Sequence, residues 1–204
     1  MALLSQEYIS KLREHFRALE DKKDLFKQTA IKVNRRSKEV IYALIRDDYA
    51  RAEEARKEMI ELLEWLKTEL KTEPRFIGMA LTSFQEFAEA EILYSYLKER
   101  KIPTHEDLEI EEDCYIQGLA DFCGELLRKS VEEMIKGNID FAKESKNTIE
   151  EIYLSLLSLE LKNFELRKKI DYVGNILNRL TDYIFQKTTF SQINIKQKEE
   201  ENKG

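Results

Sequence analysis

Carboxylates at helical spacing are the residues of this chain best placed to do chemistry. Glu86, Glu89 and Glu91 lie within residues 76–98, FIGMALTSFQEFAEAEILYSYLK, a stretch that is apolar on nearly every face when it is drawn as a helix. A helix that is apolar all round is expected to be buried all round. A buried carboxylate must therefore lose its charge, pair with a cation or line a wet cavity.

A second pair, Asp121 and Glu125, is spaced i, i+4 in YIQGLADFCGELLRKS. In helical projection both lie opposite the apolar arc, which by itself favours a solvated polar face. However, Gly118 and Gly124 lie three residues on either side of Asp121, and each costs up to ~1 kcal/mol relative to Ala inside a helix. Such glycines indicate that a large or polar group approaches the backbone of this helix.

The two pairs together predict a metal site. The spacings i, i+3 and i, i+4 each place two side chains on one helix face. Four facing oxygen ligands suit a hard cation, Mg²⁺ or alternatively Mn²⁺. Di-iron chemistry would need Glu-x-x-His motifs, and His15 and His105 lie in neither pair. The predicted metal ligands are Glu86, Glu89, Asp121 and Glu125.

Helices must position these side chains, and the composition favours an all-α fold. The chain has only six Gly and two Pro, with 42% hydrophobic and 36% charged residues, as in long amphipathic helices. Apolar periodicity and capping signals predict a single-domain bundle of about seven helices over residues 1–187. The last helix is predicted to end near Lys187, and residues 188–204 to form a disordered charged tail.

Charge and cysteine usage limit the partners and the compartment. The net charge of −6 counts against nucleic-acid binding, but seven basic residues lie between Lys22 and Lys38 against one Asp. Such a basic stripe can bind phosphate. Cys114 and Cys123 are nine residues apart on one predicted helix, so they are expected to be buried thiols in the cytoplasm. No apolar run approaches the ~18 residues of a membrane span.

The same motifs carry a family resemblance that covers most of residues 20–187. The chain resembles the translin and translin-associated factor X family through RFIGMALTSFQEFAEAEILYSYLK, YIQGLADFCGELLRKSVEEMIKGNID and KNFELRKKIDYVGNILNRLTDYIF, and more weakly through VNRRSKEVIYAL. The most specific motifs are QE-x-x-E-A followed by G-x-A-D-x-x-G-E-L. The chain departs from translin before the central helix, where only Arg75-Phe76 matches a His- and Arg-rich segment. It also has Phe122-Cys123 where Leu-Thr is usual.

The acidic set places the chain nearer the catalytic, factor X branch. The resemblance therefore implies a metal-dependent endoribonuclease acting on single-stranded RNA, with single-stranded DNA as a further candidate partner. Its catalytic residues would be the four carboxylates, with Glu86, Glu89 and Asp121 as metal ligands and Glu125 as either a ligand or a base that orients water. It also implies octameric barrels, and burial of the acidic apolar helix independently predicts a homo-oligomer. Because one chain carries the acidic set, no second subunit type should be needed. The candidate phosphate contacts are Lys32, Arg35, Arg36, Lys38, Arg75 and Arg128; for those of residues 32–38, a solvated helix face is the alternative.

Two other functions fit the same residues. The chain could hold single-stranded RNA or DNA without cutting it, in the manner of translin. Alternatively, it could be a scaffold in which the carboxylates are structural ion-pair partners. Substitution of Glu89 distinguishes the three, since an enzyme loses cleavage but keeps binding, a binder loses little, and a scaffold loses stability.

Overall fold

The protein is an all-α bundle in a computed structural model that describes the backbone of residues 4–201 and the side chains of residues 4–190. The described backbone contains seven α-helices and one 3₁₀ turn. Their bounds in chain order are α1 Gln6–Ile45, α2 Tyr49–Thr72, the 3₁₀ turn Pro74–Phe76, α3 Ile77–Glu99, α4 His105–Leu108, α5 Glu112–Ile135, α6 Ile139–Ser158 and α7 Phe164–Glu201. The predicted number of helices and the predicted fold class are confirmed.

Helix α3 lies at the centre of the bundle, between α1 and α5. Helix α2 packs along α1, while α6 and α7 pack on α5 and on each other. Burial of α3 on several sides follows from its sequence, because apolar residues occur all round it. Its buried side chains include Phe84, Phe87, Ala88, Ile92 and Tyr96.

Capping residues set the helix boundaries that the sequence predicts. Asp48 caps α2 by accepting a hydrogen bond from the backbone N–H of Arg51 at 3.2 Å. Thr104 and Asp107 form the predicted capping box at the start of α4. Gly137 has a φ of +92°, which lets the chain turn sharply between α5 and α6.

The end of the last helix differs from the prediction. Helix α7 continues to Glu201, beyond the predicted end near Lys187. No Gly or Pro, the residues least compatible with a helix interior, occurs between Asn175 and Glu201, so nothing in this segment stops the helical backbone. The predicted disordered tail thus overlaps helical backbone over residues 188–201, and residues 202–204 lie outside the described residues.

The remaining expectations concern the thiols and the membrane. Cys114 and Cys123 are both free and buried, as predicted. Within the described part of the chain, no helix is both long and apolar enough to cross a membrane.

Candidate active site

The two carboxylate pairs are brought together where α3 and α5 pack at very short range. A methyl group on Gly118 of α5 would lie 2.6 Å from the Cβ of Ala88 and 2.7 Å from the carbonyl oxygen of Gln85, both on α3. Only glycine allows the two backbones to approach this closely. The interpretation of Gly118 as a point of close approach is therefore confirmed. Glu86 and Glu89 flank this contact on α3, and Asp121 follows Gly118 by one helical turn on α5.

The four carboxylates form a half-buried acidic cluster. The exposed fractions of the side chains are 20% for Glu86, 22% for Asp121 and 23% for Glu125, and Glu89 is also half-buried. The solvated face that the helical projection favours for Asp121 and Glu125 is therefore wrong. Gln85 of α3 and Lys169 of α7 both reach Asp121 on the polar side of α5.

Glu89 is the electrostatic centre of the acidic cluster. Burial, followed by the negative charges of Asp121, Glu125 and Glu86, raises the pKa of Glu89 to about 8. At neutral pH most Glu89 side chains therefore carry a proton. Within the described residues, the side chain of Glu89 makes neither a hydrogen bond nor an ion pair.

Asp121 has both carboxylate oxygens occupied by protein groups. Lys169 of α7 places its ammonium Nζ 2.5 Å from Oδ1 of Asp121. The amide Nε2 of Gln85 donates a hydrogen bond of 2.6 Å to Oδ2. Asp121 thereby links α5 to α3 and to α7.

Glu86 and Glu125 have looser cationic partners. Lys38 of α1 lies 3.6 Å from Glu86, and Arg128 lies 3.4 Å from Glu125, one turn along α5. The pKa of Glu125 is nevertheless raised, because burial outweighs the lowering effect of Arg128. With Glu89 protonated, the three remaining acids are matched by three basic side chains.

The donor chemistry of the acidic cluster fits a divalent cation, but its side chains are not arranged around one. Carboxylate oxygens are the ligands that Mg²⁺ and Mn²⁺ prefer, and mutual repulsion at Glu89 is a cost that a cation would relieve. Among residues 4–190, however, no three acidic, histidine or cysteine side chains already converge as metal ligands. The basic side chains and Gln85 hold the acids instead, so a cation would have to replace some of these contacts.

Tyr172 of α7 closes one side of the acidic cluster. A methyl group on Gly124 would collide with the Tyr172 hydroxyl, so the second interior glycine of α5 also marks a close approach. Burial and the charges of Asp121, Glu89 and Glu125 raise the pKa of Tyr172, which keeps the hydroxyl protonated. Tyr172, Gly124 and Arg128 also line a cavity of about 590 Å³ between α5 and α7.

Glu91, the third acid of α3, belongs to a separate structural ion pair. It is only 4% exposed, and Arg56 of α2 binds both of its oxygens, with Nε and a terminal nitrogen each at 2.8 Å. The guanidinium of Arg56 also lies over the Tyr94 ring. The ion pair with Arg56 thus offsets the cost of burying the Glu91 carboxylate.

The predicted phosphate contacts fall into three places. Lys38 and Arg128 touch the acidic cluster through Glu86 and Glu125. Lys32, Arg35 and Arg36 of α1 line a cavity of about 780 Å³ between α1 and α2, where Arg36 pairs with both Glu39 and Glu58. Arg75 pairs with Glu73 and precedes Glu89 by fourteen residues, or about 20 Å of helix. The structure therefore separates Arg75 from the acidic cluster.

Three residues of the site are absent from the sequence-based set: Gln85, Lys169 and Tyr172. Gln85 lies in the QE-x-x-E-A motif, directly before Glu86, so the motif itself was a signal for it. Lys169 and Tyr172 lie at i, i+3 in KNFELRKKIDYVG, and their only signal was membership of that third family segment.

An all-α bundle with an internal carboxylate cluster on two central helices is the class of protein that this fold and site define. The Translin family model matches residues 11–188, so the chain belongs to the Translin family.

Its relatives include proteins of known structure. The chain is 32% identical over 165 residues to an uncharacterised protein of Methanocaldococcus jannaschii, covering 77% of this chain and 74% of that protein. The crystal structure of apo-NeC3PO is 42% identical, with a TM-score of 0.86 over 92% of this chain and 100% of the other. A structure of AfC3PO with duplex RNA is 22% identical, with a TM-score of 0.80 over 89% and 97% of the two chains.

Proposed function

We propose that this chain is a divalent-cation-dependent endoribonuclease that acts within a helical homo-oligomer. The observation that carries the proposal is the acidic cluster, in which two helices at van der Waals range present four half-buried carboxylates. If the carboxylates were purely structural, each would be expected to form a complete ion pair, as Glu91 does with Arg56. Glu89 instead stays without an ion-pair partner among the described residues, and its pKa is raised to about 8.

RNA as the substrate follows from the relatives together with the charge. A structural neighbour of 22% identity holds duplex RNA, and the match at 42% identity is also a C3PO structure. Lys38 and Arg128 lie at the edge of the acidic cluster. They are suited to bind RNA phosphates, because each side chain stays at least two-fifths exposed to solvent while it is paired with its acid. Lys32 and Arg35 extend the basic surface along α1.

Each residue of the cluster has a role in this proposal. Glu86, Glu89 and Asp121 would hold the cation, and Glu125 would either complete its ligands or orient the attacking water. Mg²⁺ or Mn²⁺ supplies Lewis acidity toward the phosphodiester and toward water. Glu89 is protonated in the cation-free protein and would hold a cation only as its anion, because carboxyl ligands bind metals in the deprotonated form. The Tyr172 hydroxyl is a donor available at the edge of the site.

Water as the nucleophile predicts the products. Attack by water on phosphorus with departure of the 3′-oxygen leaves a 5′-phosphate and a 3′-hydroxyl, and it makes no use of the 2′-hydroxyl. End-labelled single-stranded RNA, and duplex RNA beside it, should therefore be incubated with the protein with Mg²⁺, with Mn²⁺ and with EDTA. Cleavage that persists in EDTA, or that leaves 2′,3′-cyclic ends, contradicts the proposal.

Isosteric variants test the assignment. Glu89→Gln and Asp121→Asn should reduce the cleavage rate by more than about 100-fold while RNA affinity is retained, a loss beyond the range typical of partners that only support metal ligands. Glu151→Gln, which changes an exposed acid on α6, is the matched control. Variants that cut as fast as the wild type would assign the activity to another site.

The second candidate is RNA binding without cleavage, and one observation favours it. Lys169 and Gln85 already satisfy both oxygens of Asp121, as a purely structural acid would require. A wild type that binds RNA with a steep salt dependence but never cuts it in Mg²⁺ or Mn²⁺ would establish this candidate.

The homo-oligomer is tested by light scattering. The chain has a mass of 24.2 kDa, so a particle of that mass at micromolar concentration contradicts this part of the proposal. An octamer, as the family resemblance implies, would scatter as about eight such masses.

A further inference from the structure

Asp121 is blocked as a cation ligand by the closest ion pair of the acidic cluster. Nζ of Lys169 lies 2.5 Å from Oδ1 of Asp121, against 3.6 Å between Lys38 and Glu86 and 3.4 Å between Arg128 and Glu125. Gln85 takes the other oxygen of Asp121 at 2.6 Å. A divalent cation can therefore reach Asp121 only if one of these two contacts opens.

Charge decides which contact opens. Gln85 is neutral and can remain hydrogen-bonded beside a cation. The Lys169 ammonium would be repelled by a divalent cation on the same carboxylate, at a site where burial weakens screening by solvent. Lys169 also has room to leave, because its side chain is 28% exposed and ends in a flexible four-carbon stem.

We propose that Lys169 is an exchangeable counter-ion, which holds Asp121 when no divalent cation is bound and is displaced from Asp121 when one binds. This inference rests on the proposed cation site. It accounts for the finding that four carboxylates meet while no three of them already converge as ligands among residues 4–190. Lys169 then sets the cation affinity of the site, since every binding event must break its ion pair with Asp121.

The chain offers a matched control on the same helix. Lys168 is one residue away on α7, but it pairs with Glu165 at 3.2 Å and lies over the Phe164 ring. Lys168→Met and Lys169→Met remove the same charge from the same segment, and only the second frees Asp121. Lys169→Gln also removes the charge but keeps a hydrogen-bonding side chain, in case the methionine variant folds poorly.

The experiment is Mn²⁺ titration by calorimetry on the full chain, without RNA. Lys169→Met and Lys169→Gln should bind Mn²⁺ at least about tenfold more tightly than the wild type, because a single nearby cation changes the proton affinity of a carboxylate by one to three powers of ten. The Mn²⁺ affinity of Lys168→Met should stay within about twofold of the wild type, since Lys168 pairs with Glu165 at the surface and not with the acidic cluster. Without Mn²⁺, the Lys169 variants should melt at a lower temperature than the wild type, because Asp121 has lost its partner, and Mn²⁺ should raise their melting temperature by more.

The outcomes separate this inference from the proposed function. Equal Mn²⁺ affinity in the wild type and both Lys169 variants, with RNA cleavage intact, overturns the exchange and leaves the nuclease. Tighter Mn²⁺ binding by the Lys169 variants in a protein that never cuts RNA supports the exchange and removes the nuclease. Failure of the wild type and of every variant to bind Mn²⁺ overturns both.

Discussion

Gly118 of α5 lies against Ala88 of α3 so closely that a methyl group on Gly118 would be 2.6 Å from the Ala88 Cβ. This contact sets the separation of the two helices at the height of the acidic cluster. Glu89 follows Ala88 directly in the chain, and its backbone N–H would lie only 3.0 Å from the same added methyl. The packing of two small residues thus determines how closely Glu89 and Asp121 approach.

Gly118→Ala should therefore lower both the stability of the fold and the rate of RNA cleavage. Two of the three atoms nearest the added methyl, the Gln85 carbonyl oxygen and the Glu89 nitrogen, belong to the backbone of α3 and cannot swing away, so the helices must separate. We expect a loss of about 1–3 kcal/mol in the free energy of unfolding, which is typical of overpacked cores. Thermal denaturation measures it, at roughly 2–4 °C per kcal/mol for a chain of this length.

Gly78→Ala is the control for helix propensity. A methyl group on Gly78 meets nothing within 4 Å, so it should leave stability unchanged or raise it by up to about 1 kcal/mol. If Gly118→Ala behaved like Gly78→Ala, the close contact would not be what sets the helix separation.

Arg56→Met should be among the most damaging substitutions in α2. It leaves Glu91 buried without its cation, at a cost of about 3–5 kcal/mol. Lys57→Met, the loss of an exposed charge one residue further along α2, should cost less than about 0.5 kcal/mol. Urea denaturation compares the two variants.

The double variant Arg56→Met/Glu91→Leu then tests the role of the pair. Replacing both charges by apolar side chains should recover most of the stability, and RNA cleavage by this variant should be close to the wild-type rate. A double variant that folds as well as the wild type but does not cut would place Glu91 in the active site and contradict its structural assignment.

The fold was predictable because its signals are local. Asp48, Thr104 and Gly137 each mark a helix end through contacts within a few residues, and the unusual apolarity of α3 depends only on its own sequence. The end of α7 was not predictable by the same reasoning, because the absence of an apolar stripe indicates that a helix does not pack, not that it stops.

The part of the site that was predictable is the part that depends on spacing within a single helix. Spacing on one helix identified both carboxylate pairs, and Gly118 and Gly124 indicated a close approach without naming the neighbour. Lys169 follows Asp121 by 48 residues, and nothing in the pattern of α7 relates it to α5. Helical projection placed Asp121 on a polar face, but only tertiary packing decides whether solvent or another helix covers that face.

Gly124→Ala should act on Tyr172 without separating α3 from α5. The added methyl meets the Tyr172 hydroxyl and ring, which can rotate toward the adjacent cavity at modest cost, about 1 kcal/mol for an off-rotamer side chain. We expect the rate of RNA cleavage to fall while the free energy of unfolding changes little. Tyr172→Phe, which removes only the hydroxyl, should lower the cleavage rate in the same way. A Tyr172→Phe variant with the wild-type rate would exclude a role for that hydroxyl in the reaction.

Glu89 should make the cation-free protein less stable as the pH rises. The pKa of Glu89 is raised from 4.5 to about 8 in the folded state, so folding favours the protonated form. The contribution is fully present below the unfolded pKa and is lost as the pH rises through the folded pKa of about 8. At about 1.4 kcal/mol per pKa unit, with a discount for partial exposure, the loss across this window should reach roughly 2–4 kcal/mol.

Glu89→Gln isolates this effect, because the amide cannot ionise. In EDTA, the variant should match the wild type near pH 5 and exceed its stability by roughly 2–4 kcal/mol near pH 8.5, as measured by chemical denaturation. Glu151→Gln, on the exposed face of α6, should follow the wild type at both pH values. Mn²⁺ should reverse the order at pH 8.5, since it stabilises ionised Glu89 and binds the variant more weakly. A constant difference between Glu89→Gln and the wild type across this pH range would mean that Glu89 does not titrate there, and Mn²⁺ binding would then release no proton from it.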